Sequence, residues 1–165
     1  VRQLFGADRM SVAFRRESDD EHKEPAFELP LPPGPNLVTA EGLALIEARV
    51  AAFEAEVEAA PDDEARKRSK RDLRYWLARA STAEVQPPPP SGEVAFGSRV
   101  TYRLDGRERT VALVGSDEAD PAAGRIPFTA PLAQAMMGAE AGEHVDFGGR
   151  SEAIEIVAAE PMGAP

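Results

Sequence analysis

Residues 39–85 read TAEGLALIEARVAAFEAEVEAAPDDEARKRSKRDLRYWLARASTAEV. Leu43, Ile46, Val50, Phe53 and Val57 step by 3, 4, 3 and 4, which lines them up along one side of an α-helix. A stripe that narrow is the seam of a coiled coil rather than the broad face of a core helix. Thr39 suits the N-cap, where its hydroxyl can accept from a first-turn amide. Ala59-Ala60-Pro61-Asp62 reads as a turn, and Pro61-Asp62-Asp63-Glu64 as the opening of a second helix. Proline fits that entry, and acids there favour the positive end of the dipole. The second helix turns Leu73, Trp76, Leu77 and Ala80 toward its partner. Each arm is about 30 Å long at 1.5 Å per residue. A hairpin of that length cannot bury its own flanks, so it must project from a body built by the rest of the chain.

That body lies after the hairpin. Residues 87–92, four prolines then Ser91-Gly92, stop the helix and read as a stiff linker. Beyond them the period changes from helical to alternating. Val94-Ala95-Phe96, Arg99–Leu104, Arg109–Val114, Gly124–Phe128, His144–Phe147 and Ala153–Val157 read as strands. Asp105-Gly106 is a strong hairpin-turn signal. Pro127 marks its strand as an edge. Leu132–Met137 is a short helix, opened by Pro131 and closed by Gly138. Residues 93–160 are thus expected to form a small antiparallel sheet with one helix on it, making the whole chain α+β. Pro161–Pro165 reads as a loose end. Residues 1–38 read as a flexible tail: 15–24 are nearly all charged, and Pro30, Pro32, Pro33 and Pro35 remove amide donors. Met10 is a candidate start within that stretch.

Composition narrows the function classes. The chain of 165 residues has no cysteine, which excludes disulfides and thiolate metal sites. No apolar run approaches a membrane span, and the cysteine usage fits the cytoplasm. The net charge is −10, and residues 87–165 alone carry 6 basic against 12 acidic side chains. Such a chain is a poor freestanding binder of duplex DNA, so sequence-specific DNA binding is not expected. Charge is divided within the hairpin: the first arm holds Glu41, Glu47, Glu54, Glu56 and Glu58, the second Arg66, Lys67, Arg68, Lys70, Arg71, Arg74 and Arg79. Either the arms attract each other and present solvated faces, or Arg66, Lys67, Lys70, Arg71 and Arg74 touch RNA or an acidic channel. His22 and His144 make no ligand cluster, and no nucleophile elbow or phosphate loop is present. No residue is expected to be catalytic by itself.

Phe96-Gly97-Ser98-Arg99-Val100, Val114–Asp120, Pro131–Gly138 and Gly142-Glu143-His144-Val145 resemble, in order and spacing, the C-terminal domain of the GreA/GreB transcription elongation factors. The hairpin, opening at Thr39, Gly42 and Leu43, is similar in kind to that family's first helix, whereas residues 1–36 match nothing in it. The resemblance implies a coiled-coil hairpin followed by an FKBP-like domain. It implies a protein that docks on bacterial RNA polymerase and extends the hairpin into its secondary channel, with transient RNA contact. In the family, tip acids help hold a magnesium ion while the polymerase cleaves backtracked RNA, so Mg²⁺ shared with the polymerase is the implied cofactor.

Two departures bear on mechanism. The hairpin is short, about 46 residues. The family's tip places Asp and Glu three residues apart, but here Ala65 follows Asp62 at that spacing and Arg66 follows Asp63. The acids Asp62, Asp63 and Glu64 are consecutive and about 100° apart on a helix, so they either contact magnesium singly or serve as N-terminal caps. A short hairpin without the tip motif resembles the Rnk branch, the regulators of nucleoside diphosphate kinase. Channel occupancy is therefore favoured over strong transcript cleavage, with true cleavage as the alternative and a prolyl isomerase as a distant one. Asp117 and Glu118, in a loop, and Pro131, Leu132 and Ala133, at a helix start, are the expected polymerase-docking residues.

Overall fold

A computed structural model describes residues 28–163. In chain order its elements are β1 (Leu37–Val38), α1 (Ala40–Ala59), α2 (Asp63–Thr82), β2 (Glu84–Val85), β3 (Ser98–Leu104), β4 (Arg107–Val114), a one-turn 3-10 helix (Pro121–Ala123), β5 (Arg125–Pro127), α3 (Pro131–Met136), β6 (His144–Phe147) and β7 (Arg150–Pro161). The two long helices form the expected hairpin. Thr39 caps α1, its Oγ1 accepting from the Gly42 amide at 2.9 Å. Asp62 caps α2, its Oδ1 accepting from the Ala65 amide at 2.7 Å. Ile46 is fully buried on α1, with Leu43, Val50, Phe53 and Val57 half-buried along the same seam.

Two details of the hairpin differ from expectation. Leu77 is 45% exposed, because the inward stripe of α2 runs Leu73–Trp76–Ala80 and a residue one step from Trp76 points about 100° away. Among the described residues no ion pair joins the arms. The cations of α2 turn instead to Asp63, Glu64, Asp72 and Glu28, so the basic face looks away from α1. Across the arms Arg49 lies over the Trp76 ring, 5.9 Å from its centroid, a cation–π contact.

The reading of residues 1–38 as one tail is corrected at its end. Leu37 and Val38 pair in parallel with Glu84 and Val85, so β1 and β2 close the base of the hairpin. Asn36 and Val38 are buried there. Two-residue strands carry too little alternation to show as strands in a sequence. The charged run 15–24 lies outside the described residues, as do Ala164 and Pro165.

The sheet has the order β5-β4-β3-β7-β6. It is mixed, not antiparallel: β5 runs parallel to β4, pairing Leu113 with Ile126, because the chain crosses back through the 3-10 helix before β5 begins. Asp105 and Gly106 both have positive φ (52° and 71°), which suits the two-residue turn joining β3 to β4. Strand β7 is longer than expected and includes Pro161, so residue 161 is not part of a loose end. Its inward residues change phase, from Ile154 and Ile156 to Ala159, because a bulge opposite Thr101/Tyr102 takes up Val157. Val94–Phe96 is not a strand. Gly97, at φ 83°, turns the chain there, and Ser98 Oγ accepts from the Ala95 amide at 3.0 Å. The core joins Val94, Val100, Tyr102, Leu113, Ile154 and Ile156 with Ala133 and Met136 of α3.

Candidate functional site

Sequence reasoning points to three places: the hairpin tip, the basic face of α2, and the loop 115–120 with the start of α3. At the tip, Asp62, Asp63 and Glu64 are exposed and already engaged. Asp62 holds its cap, Asp63 pairs with Arg66 at 2.9 Å and Glu64 with Lys67 at 3.3 Å. No group of three or more acids or histidines able to hold a metal occurs among the described residues. The tip acids do not converge on a common point, so they do not form a metal cradle by themselves. The N-terminal capping reading fits their observed contacts.

The loop after β4 has a different place from the one expected. Asp117 and Glu118 face inward, onto the base of the hairpin. Asp117 Oδ2 accepts from Arg79 Nε at 2.5 Å, and the two side chains are 6% and 5% exposed. Its other oxygen accepts from the Tyr75 hydroxyl at 2.5 Å. Glu118 is 4% exposed and accepts from Thr39 Oγ1 at 2.7 Å, so one threonine caps α1 and holds the loop. These carboxylates are therefore not a free docking surface. Loop residues are exposed by default, and what buries these two is the helix base that only the tertiary fold brings over them.

Small residues permit the approach. A Cβ on Gly42 would stand 2.7 Å from Glu118 Oε2, and one on Gly115 would stand 2.5 Å from the Leu37 carbonyl oxygen. Glycine within a helix costs about 1 kcal/mol relative to alanine, so Gly42 in the first turn of α1 was a legible sign of close approach. Arg79 gave a signal as well: it lies three residues after Trp76, beside the inward stripe, where a cation needs a buried partner. Asn36 completes the base, its Nδ2 donating to the Arg79 carbonyl at 2.8 Å and to Thr82 Oγ1 at 3.1 Å. Together these contacts couple the hairpin to the sheet.

Burial, and then the hydrogen bond that the hydroxyl donates to the Asp117 carboxylate, push the Tyr75 hydroxyl up to about 12 from 10.0. A folded value above the unfolded one means that this contribution to stability is complete below about pH 10 and is lost as pH rises toward 12. Wild type is expected to lose urea resistance between those pH values more steeply than Tyr75→Phe. Equal slopes in parallel urea titrations would overturn the assignment.

At the start of α3, Pro131 is exposed, Leu132 is half-buried, and Ala133 is fully buried in the core. Ala133 thus packs inward, because it and Met136 are three residues apart on the face that meets the sheet. The basic residues Lys67, Lys70, Arg71 and Arg74 share one face of α2 by their spacing, and Arg66 flanks it.

Residues 89–161 match the family model described as transcription elongation factor, GreA/GreB, C-term. The chain is 40% identical over 78 residues to transcription elongation factor GreA of Vibrio parahaemolyticus, covering 46% of this chain and 49% of that one. It is 42% identical over 73 residues to GreA of Chloroflexus aurantiacus, covering 43% and 46%. The chain thus spans about half the length of the curated relatives it matches. Among solved structures it is similar to a GreA/GreB factor from Nitrosomonas europaea (21% identity, TM-score 0.38, 78% of this chain and 99% of that one). It is also similar to GreA factor homolog 1 of Thermus thermophilus (16% identity, TM-score 0.35, 77% and 99%).

Proposed function

We propose, from the match of residues 89–161 to the GreA/GreB C-terminal family model, that the chain is a GreA/GreB-type factor that binds RNA polymerase and regulates transcription elongation by occupying the secondary channel with the α1–α2 hairpin. The family match over the sheet domain carries this reading. The sheet domain supplies the docking body, and Pro131 at the start of α3 is the member of the expected docking set most open to a partner. The buried base contacts aim the hairpin. Its length of about 30 Å gives it reach, and the basic face of α2 meets acidic or phosphate groups along the way.

Occupancy is favoured over cleavage because the tip acids cap α2 and pair with Arg66 and Lys67. In this reading the chain is not itself an enzyme and at most stimulates RNA cleavage by the polymerase. The prolyl-isomerase alternative has no support in the family match. Its would-be pocket aromatics, Phe96 and Phe128, pack edge to face with centroids 5.4 Å apart.

The test uses a backtracked elongation complex. With this protein added, RNA cleavage is expected to stay at background, and cleavage stimulated by added GreA is expected to fall as the two compete. Cleavage that disappears when Asp62, Asp63 and Glu64 are all changed to alanine would replace occupancy by true cleavage. Failure to compete with GreA or to bind core polymerase at low salt would overturn the reading as a whole.

A further inference from the structure

The sheet has two faces, and α3 packs on one of them. On the other, one row runs across three strands: Arg99 of β3 pairs with Ala112 of β4, and Ala112 with Arg125 of β5. Paired residues share a face, so the two arginines stand on either side of Ala112. Their Cα atoms are two strand spacings apart, roughly 10 Å. The alanine methyl leaves a gap between them, and that gap is the floor of a cleft of about 390 Å³. Thr110, Ala123 and Gly124 line the cleft from the sheet domain, and Glu41 of α1 borders it on the hairpin side.

Both guanidiniums are short of partners. Elsewhere in the sheet domain Arg103 is held by Glu108 and Glu155, and Arg150 by Asp105. Among the described residues Arg99 forms no ion pair, although Glu160 stands opposite it on β7. Arg125 Nη2 lies 3.7 Å from Asp120 Oδ2, too far for a hydrogen bond. Its Nε is buried and has no acceptor among the described residues. A buried donor without an acceptor is unfavourable, and an arriving anion brings acceptors to the guanidinium. The backbone of Arg125 is fixed as well: its amide donates to the Asp120 carbonyl and its carbonyl accepts from the Asp120 amide, both at 2.9 Å.

We propose that this cleft binds the phosphate group of a small phosphorylated ligand between Arg99 and Arg125, with the Thr110 hydroxyl as a further donor. Each guanidinium offers a planar fork of N–H donors, and a phosphate has three terminal oxygens to share between two forks and a hydroxyl. A carboxylate, with two oxygens, satisfies fewer of these donors. Glu41 carries the same sign as the ligand and restrains its affinity. Because Glu41 lies in the first turn of α1, the bound phosphate sits where the hairpin meets the sheet. The binding concerns this chain alone and does not depend on the polymerase.

The experiment titrates the full chain with sodium pyrophosphate at constant ionic strength and follows the backbone amides by NMR. Saturable shifts are expected at Arg99, Ala112 and Arg125. Arg99→Gln and Arg125→Gln should each weaken binding at least ~5-fold, and Glu41→Gln should tighten it about 2-fold or more, by loss of charge-assisted bonds and of a like charge respectively. Arg109→Gln, on β4 but outside the cleft, should change affinity less than ~2-fold. Arg99 and Glu41 are exposed, so their variants keep the fold whatever Arg125→Gln does. Absence of saturable shifts, equal losses in the Arg109 and Arg99 variants, or weaker binding by Glu41→Gln would overturn the proposal. Glutarate binding as tightly as pyrophosphate would overturn the assignment to phosphate. Because no readout contains polymerase, a failure here is distinct from a failure to compete with GreA.

Discussion

Replacing Arg79 with methionine is expected to lower the unfolding free energy by about 3–5 kcal/mol, the range for breaking one side of a buried ion pair. Methionine keeps much of the side-chain stem but leaves the Asp117 carboxylate, 6% exposed, with only the Tyr75 hydroxyl for a partner. The cost is that of an unpaired buried charge, not of a lost attraction. A double variant, Arg79→Met with Asp117→Leu, should therefore recover most of the loss. Trp76, the only tryptophan, sits in α2 one turn from Arg79 and reports on the hairpin by fluorescence. In urea, its transition should move to lower concentration than the transition of the sheet seen by circular dichroism. A loss below about 1 kcal/mol, the scale of an exposed pair, would mean that Arg79 and Asp117 do not join the hairpin to the sheet.

Leu113→Ala should cost about 2–5 kcal/mol for a different reason. Leu113 is fully buried on β4, next to Ile126 of β5, in the same core as Ala133 and Met136 of α3. Truncation removes apolar contacts and leaves a cavity that the flanking strands cannot collapse to fill. Here the sheet should lose stability first and Trp76 should report the loss only through the base contacts. The two variants thus reverse the order in which sheet and hairpin unfold. Coincident transitions in both would show that the chain melts as one unit, and a shift below about 1 kcal/mol for Leu113→Ala would show that its site is not packed as described.

The same contrast separates what was legible in the residues from what was not. Helix positions could be read because a helix writes its inward face as a 3-4 repeat, and Leu43 to Val57 follow it without exception. The caps at Thr39 and Asp62 were readable for a similar reason: each is set by atoms within three residues. The turn at Asp105-Gly106 and the edge strand at Pro127 depend on backbone chemistry local to glycine and proline. The family likeness of residues 89–161 was also carried by short motifs in order.

The parallel partner of β4, the β1–β2 pair and the bulge at Val157 could not be read this way. Each depends on which distant segment arrives alongside, and strand direction leaves no mark in a three-residue strand. The inward turn of Asp117 and Glu118 is the case that matters most for function. By itself a Gly-Ser-Asp-Glu run is a hydrophilic loop, and exposure is the natural expectation. Sequence determined that the chain has a helical hairpin, a charged second arm and a sheet domain similar to the GreA/GreB C-terminal domain, because periodicity, charge and ordered motifs are local properties. Only the tertiary structure decided that the loop's two acids hold the hairpin, because Arg79, Tyr75 and Thr39 lie 38 to 79 residues away from their partners and meet them only once the sheet has formed.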